Sequence, residues 1–510
     1  MAGKGIIEST LILTVANVLN RLLGFGYRIY MSNTLGSEGM GLYQLIMPLY
    51  ALAWSISCSG FTTTVSKLVA GEKASGRHGN MGRILKQALA ITTSLGILLN
   101  IILFFSADTV ALSMFRDERL GLALRILSIS FPFMAAGSCI RGYFMGLQET
   151  VVPAISQVFE QCVRMIVVYL LSSSFMSRGL AYACAAAVCG IFFGEVLSFV
   201  FVILAYKRFK QKSKFNKPPT MASHKTLQML LFMAAPLTFN RISGSLLATF
   251  ENMILPRKLI AFGMSNSEAI SEFGKINGMA MPLIQFPSAL LVSLSMALIP
   301  AVSESVTMKN YTKINNTVSK VMLFTTITGI GASAIFILFS QELGNIIYNQ
   351  NIEYILTLLG IMCPFIYMHM TLSGILNGLG EQVFIFRNSL ISSFISIAFI
   401  MVVVPRSGIA GYILGSFCAL AVVCALSLNK IKNTTLISIK IIDWFIKPVL
   451  SAVLCILIMN LIKPIIFSIL GDIAALLTCL TITGLIYMSL IMATGSFSKN
   501  DMKAMFRKNN

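Results

Sequence analysis

The sequence predicts an all-α polytopic membrane protein. It would have about fourteen transmembrane helices, set as two six-helix lobes in a parallel pseudo-two-fold repeat plus two C-terminal helices. Three observations predict this. Of 510 residues, 56% are hydrophobic and only 11% charged, where soluble domains carry about 25% charged residues. The apolar residues gather in runs long enough to cross a bilayer. Lys and Arg fall mostly in alternate loops, the positive-inside pattern.

The runs lie at 7–30, 41–65, 85–106, 121–141, 150–173, 180–205, 227–252, 278–302, 319–339, 353–376, 386–405, 408–428, 447–468 and 471–495. The first is long and lacks an A-x-A-like cleavage site, so it reads as a span and not as a removable signal. An even number of spans with the N-terminus inside puts both termini in the cytoplasm. The net charge of +20 then reflects topology and attraction to anionic headgroups, not nucleic-acid binding.

Between the sixth and seventh runs, "YKRFKQKSKFNKPPTMASHK" at 206–225 is basic, carries a Pro pair and lacks acids. It reads as a cytoplasmic linker. An N-lobe at 1–205 precedes it and a C-lobe at 226–430 follows. Residues 431–510 add the last two spans and a basic tail. The lobes repeat weakly. "LNR" at 19–21 answers "FNR" at 239–241, and "GMGLYQLIMP" at 39–48 answers "GMAMPLIQFP" at 278–287. Val65-Ser66 and Val302-Ser303 follow near each span end. Six spans per repeat insert with the same orientation, a plan in which transporters place the substrate site between the halves.

The ten cysteines fall in spans and form no CxxC. They read as small packing residues, not disulfides or metal ligands. Of three histidines, His369 alone lies in a span, the tenth, where a helix–helix hydrogen bond is expected. The sequence has no GxxxxGK[ST] loop, no HExxH and no metal-ligand cluster. No cofactor and no enzymatic chemistry is expected.

The first span is unusual. Thr10, Thr14, Asn17, Arg21, Gly24 and Arg28 recur at spacings of 4, 3, 4, 3 and 4, which places them on one helix face. Arg21 and Arg28 then stand two turns apart, about 10.5 Å along the axis. A membrane arginine costs at least ~3 kcal/mol, so this face must meet a partner or water. Glu160, Glu195 and Glu251 are the acids available to pair. Glu160 already has Arg164 at i+4, and Glu251 lies beside Arg257 and Lys258. Arg21, Arg28 and Arg241 are left unmatched, which favours a water-filled cavity over buried pairs. Asn240, Arg241, Ser245 and Asn252 form a second stripe in the seventh span, with Arg241 the repeat counterpart of Arg21. Arginines from both halves would suit an anion, because guanidinium matches phosphate bidentately and stays charged. Pro48, Pro236, Pro282, Pro287 and Pro300 interrupt spans and suggest hinges.

"NRLLGFGYRIYMSNTLGSEGMGLYQLIMPLYAL" and "GKINGMAMPLIQFPSALLVSLSMALIPAVSES" resemble the stage V sporulation protein B and polysaccharide exporter family of the MOP flippase superfamily. The similarity runs the length of the chain. It implies two six-span lobes around a central cavity with alternating access. In MurJ-type members, cationic residues of that cavity engage a lipid-linked pyrophosphate. The match over Asn20-Arg21-Leu22-Leu23-Gly24-Phe25 carries that role to Arg21 and, one place displaced, to Arg28. Two departures stand out. MurJ-type proteins have an Arg in span two, where this chain has Ser, Cys, Gly and Thr. They have another before "FPSG" in span eight, where this chain has Pro282.

The resemblance implies a bacterial cell-membrane flippase for an undecaprenyl-pyrophosphate-linked glycan, lipid II for spore cortex peptidoglycan. Arg21, Arg28 and Arg241 would hold the pyrophosphate, with Asn17, Gln44, Ser59 and Ser245 lining the path. Partners would be lipid II or another lipid-linked oligosaccharide, membrane lipids and cell-wall synthesis enzymes. The last two spans would form a groove for the lipid tail. A MATE-like cation or drug exporter is the rival on the same fold, but it would need acids unmatched by cations. A non-transporting scaffold for cell-wall synthesis is the rival of another class, and it would need neither stripe nor hinges.

Overall fold

A computed structural model of the chain describes residues 2–176, 178–212, 218–308, 310–435 and 441–495. All regular structure among them is helical. The helices are α1 (Ala2–Trp54), α2 (Gly60–Ala74), α3 (His78–Val110), α4 (Leu120–Gly146), α5 (Val151–Met176), α6 (Leu180–Lys212), α7 (Ser223–Ala261) and α8 (Asn266–Gly274). There follow α9 (Met281–Gln285), α10 (Ser288–Thr307), α11 (Tyr311–Leu338), α12 (Ser340–Leu343), α13 (Glu353–Gly378), α14 (Gln382–Val402), α15 (Val404–Thr435), α16 (Lys447–Ile469) and α17 (Asp472–Ala493). Residues 213–217 of the basic linker and 496–510 of the basic tail lie outside the described residues.

Among the described residues, twelve helical stretches are long and apolar enough to cross a membrane. The first, Val15–Ala74, covers both of the first two expected spans. The break between them is Gly36, at φ +68°, a left-handed conformation that glycine adopts without a Cβ clash. The eighth expected span, 278–302, is not one helix. It comprises a wide turn at Lys275–Ala280, then α9, then α10. Pro282 and Pro287, which cannot donate backbone hydrogen bonds, sit at these joints. The doubled first stretch and this broken one reconcile twelve with about fourteen.

The chain divides into two compact units. The first is Met1–Arg257 with Asn266–Gly274, and the second Lys258–Ser265 with Lys275–Asn510. Helix α7 therefore packs with the first unit through Arg257.

Within the first unit, small residues let helices approach closely, as membrane packing requires. A Cβ on Gly142 or Gly146 of α4 would lie 2.6 Å from the Thr62 or Ser66 carbonyl oxygen of α2. An apolar core of Val65, Val69, Leu85, Ile140, Phe144 and Leu230 lies around this contact. In the second unit, Ile314, Met322, Met368, Leu372, Ile431 and Trp444 form the counterpart core.

Polar ties close both ends of the first unit, with α3 running between them. At one end Asn80, buried, donates to Glu72 at 2.7 Å and Thr220 at 3.1 Å. Its Oδ1 accepts the Thr220 and Met221 backbone N–H groups at 2.9 and 3.0 Å. This straps the linker's far end, just before α7, to α3. At the other end Arg119 bridges Asp117 and Glu38, each at 2.7 Å. The Asp117 and Glu38 carboxylates hold its guanidinium above the usual arginine range, against the opposing pull of desolvation.

The ten cysteines are all free thiols. His369 departs from expectation: its enclosed Nδ1 has no partner among the described residues.

Candidate functional site

All seven predicted site residues lie in the first unit. Asn17 and Arg21 are exposed on α1, and Arg28 is half-buried two turns beyond Arg21. Thr10 and Thr14, which open the stripe, lie outside the residues whose side chains are described. Arg21, Arg28 and Arg241 make no ion pair among the described residues.

The acids are engaged elsewhere. Glu160 takes Arg164 at 3.0 Å and Arg141 at 3.6 Å. Arg141 of α4 also donates to Ser198 at 3.2 Å, and Ser198 lies 3.0 Å from Ser156. Buried Glu195 accepts the Tyr50 hydroxyl. The buried-pair reading therefore holds for Arg141 and Arg164 and not for the arginines of α1. Arg141 closes the fourth span and escaped sequence reasoning. Its partner is 19 positions away on another helix, beyond any local periodicity.

Helix α7 meets the α1–α2 segment along one seam. Thr238, Arg241, Ser245 and Thr249 recur at 3, 4 and 4 residues, so they share a face. A Cβ on Gly60 would lie 2.0 Å from Thr238 Oγ1 and 2.6 Å from the Ala234 carbonyl oxygen. The Arg241 guanidinium carbon sits 5.5 Å from the Trp54 ring centroid. Ser245 Oγ lies 2.6 Å from Ser55 Oγ. Thr249 donates to the Pro48 carbonyl at 3.3 Å. A wide turn at Ser55–Ser59 interrupts the helix at the middle of this seam; such turns often mark functional positions.

The structure thus joins Arg241 and Ser245 to α1 and its following turn. Ser59 is buried, and its hydroxyl donates to the Ser55 carbonyl at 2.8 Å. Gln44 is half-buried. Neither Asn17, Arg21, Arg28 nor Gln44 is bonded to another member of the set. Trp54 and Thr249 were not anticipated. Their signal, a lone tryptophan beside the small residues of span two and a hydroxyl in register with Arg241, was visible but had no partner to give it meaning.

In the second unit, Phe324, Ile327 and Ile335 of α11 with Tyr487 and Met488 of α17 and Pro287 line an apolar cavity of about 300 Å³. Tyr487 spends its hydroxyl on the Ile327 carbonyl at 3.0 Å, leaving its ring to the cavity. No group of His, Cys, Asp and Glu among the described residues could hold a metal ion.

The family model described as polysaccharide biosynthesis protein matches residues 6–306. The chain belongs to this family, within the MOP flippase superfamily. A second model, MatE, matches residues 277–402. Stage V sporulation protein B of Bacillus subtilis (strain 168) is 29% identical over 99% of this chain and 98% of its own. The lipid II flippase MurJ of the same organism is 28% identical over 63% of this chain and 62% of its own. Among solved structures, a lipid II flippase MurJ in an inward closed conformation aligns with TM-score 0.70 at 16% identity, over 94% of this chain and 100% of that one. An inward-facing multidrug resistance MATE family transporter aligns with TM-score 0.67 at 15% identity, over 82% and 96%. The fold is that of the MOP superfamily, and the chain is a multi-pass membrane transporter, not an enzyme.

Proposed function

We propose that this flippase moves an undecaprenyl-pyrophosphate-linked glycan, lipid II for spore cortex peptidoglycan, across the bacterial cell membrane by alternating access, with both termini cytoplasmic. The observation that carries the reading is the pair of arginines on α1 with no carboxylate partner among the described residues, while Arg141 and Arg164 are both matched by Glu160. An unpaired guanidinium in a span is costly. It is useful where an anion arrives to share it, and pyrophosphate offers paired oxygen acceptors that the planar guanidinium fork of Arg grips bidentately. Arg21, Arg28 and Arg241 would engage the pyrophosphate, with Asn17, Gln44 and Ser245 lining the sugar path. Ser59, whose hydroxyl is spent on its own helix, would serve only after a change of rotamer. The apolar α11–α17 cavity would take part of the polyprenyl tail.

The nearly end-to-end match to a sporulation protein and the similarity to a named lipid II flippase support this substrate class. Exporting a dianion is favoured by an inside-negative potential at roughly 2.3 kcal/mol per charge per 100 mV, so the potential alone can drive the step. A MATE-like cation exporter is disfavoured, because the exposed ionic groups of the stripe are cationic. The test is reconstitution into liposomes with labelled lipid II, scored for movement from the inner to the outer leaflet. Protein-dependent movement is expected. Transport of a lipophilic cation with lipid II left in place would overturn the reading.

A further inference from the structure

Arg241 is held in an unusual way. An arginine ordered by a carboxylate is neutralised and gives up N–H donors. Arg241 has neither an ion pair nor a hydrogen bond among the described residues, and its recorded partner is the Trp54 ring, 5.5 Å away. A ring face attracts the cation through its quadrupole and takes no donor from it.

The surroundings hold this contact in register. One residue beyond Trp54, Ser55 bonds Ser245 at 2.6 Å, one helical turn from Arg241. The wide turn Ser55–Ser59 follows directly, and its hydroxyls at 57 and 59 close on the carbonyls of Ala53 and Ser55 at 2.7 and 2.8 Å. Gly60 then brings the two helices into contact at Thr238. The ring is thus fixed from both sides of Arg241.

We propose that Trp54 is the positioning residue for Arg241, anchoring the guanidinium by its ring face so that the full charge and the N–H donors remain available to an anionic lipid headgroup. This rests on the reading of Arg241 as a phosphate ligand and adds what orients it. The indole supplies what a carboxylate cannot, order without neutralisation.

The test uses the full chain in nanodiscs, with undecaprenyl pyrophosphate as the probe. Trp54→Leu is expected to weaken binding about fivefold, the weight of a partly exposed cation–π contact. Trp54→Tyr keeps a ring face and is expected to restore binding. In an Arg241→Ala background, Trp54→Leu is expected to add nothing, since its effect runs through Arg241. An equal loss in both backgrounds would make Trp54 merely structural and overturn the proposal. A second arm needs no ligand. The chain has two tryptophans, so Trp444→Phe, or Trp444→Tyr if the first does not fold, isolates Trp54 emission. Arg241→Ala is expected to shift that emission and Arg241→Lys to preserve it. Emission indifferent to Arg241→Ala overturns the proposal whatever lipid binds. If the unaltered chain binds no undecaprenyl pyrophosphate, the substrate reading falls, and the emission arm still decides the positioning.

Discussion

Arg21 and Arg164 both carry a guanidinium into the membrane, yet they answer to different physics. Arg164 lies 3.0 Å from Glu160, and both side chains are mostly enclosed, at 18% and 16% exposure. Removing one partner of such a pair strands the other charge, a loss of up to about 3–5 kcal/mol in a fully buried case. Glu160→Gln is therefore expected to lower the melting temperature in detergent and the amount of protein recovered. Arg21 is exposed and strands nothing when removed. Arg21→Ala is expected to insert and melt as the unaltered chain does while losing transport. Poor folding of Arg21→Ala would mean that it has a structural partner after all. The sequence made this contrast half legible. The i, i+4 spacing of Glu160 and Arg164 is a local signal, and so is the stripe on α1. Arg141, Trp54 and the fate of Ser59 are not, because each depends on a neighbour supplied by another helix or by a wide turn that periodicity does not encode.

At the level of elements, the span positions were legible because hydropathy reports directly on what lipid tolerates. The breaks were less so. Gly36 ends the first crossing, and prolines mark the joints of the eighth, yet Pro236 sits inside a continuous α7. Proline alone does not decide a break when neighbouring helices can satisfy the freed carbonyl. Gly60 marks where α7 lies against α2. Gly60→Ala would drive a Cβ into the Ala234 carbonyl and the Thr238 hydroxyl, an overpacking that typically costs about 1–3 kcal/mol. A matching fall in thermal stability is expected, and unchanged stability would mean that this seam is loose. The Asn80 strap gives a second expectation. Asn80→Ala removes the acceptor for two backbone N–H groups of the linker. Limited trypsin digestion is expected to cut faster between α6 and α7, with the helices left intact.

For the whole molecule, the repeat suggested by "LNR" and "FNR" would relate α1 to α7, while contacts group α7 with the first unit through Arg257. Sequence similarity records ancestry, whereas packing records which surfaces now share a core. Alternating access predicts that cysteines placed at Asn17 and Ser245, in a chain freed of its ten native thiols, react with water-soluble reagents in one state and are shielded in another. Ser245 is bonded to Ser55 in the present arrangement, so its reactivity is expected to rise when that contact opens. Constant protection at both positions would exclude an aqueous path.

The central claim is that the unpaired arginines grip a pyrophosphate and do not merely supply a field. Lys keeps the charge of Arg without its planar fork, so the claim is tested most directly by lipid II movement in liposomes bearing the Arg21→Lys variant, beside Arg21→Ala and the unaltered chain at matched insertion. A charge-assisted hydrogen bond is worth about 1.5–3 kcal/mol, so the account predicts that Arg21→Lys loses at least about tenfold in rate and falls close to Arg21→Ala; near-normal movement by Arg21→Lys would contradict it.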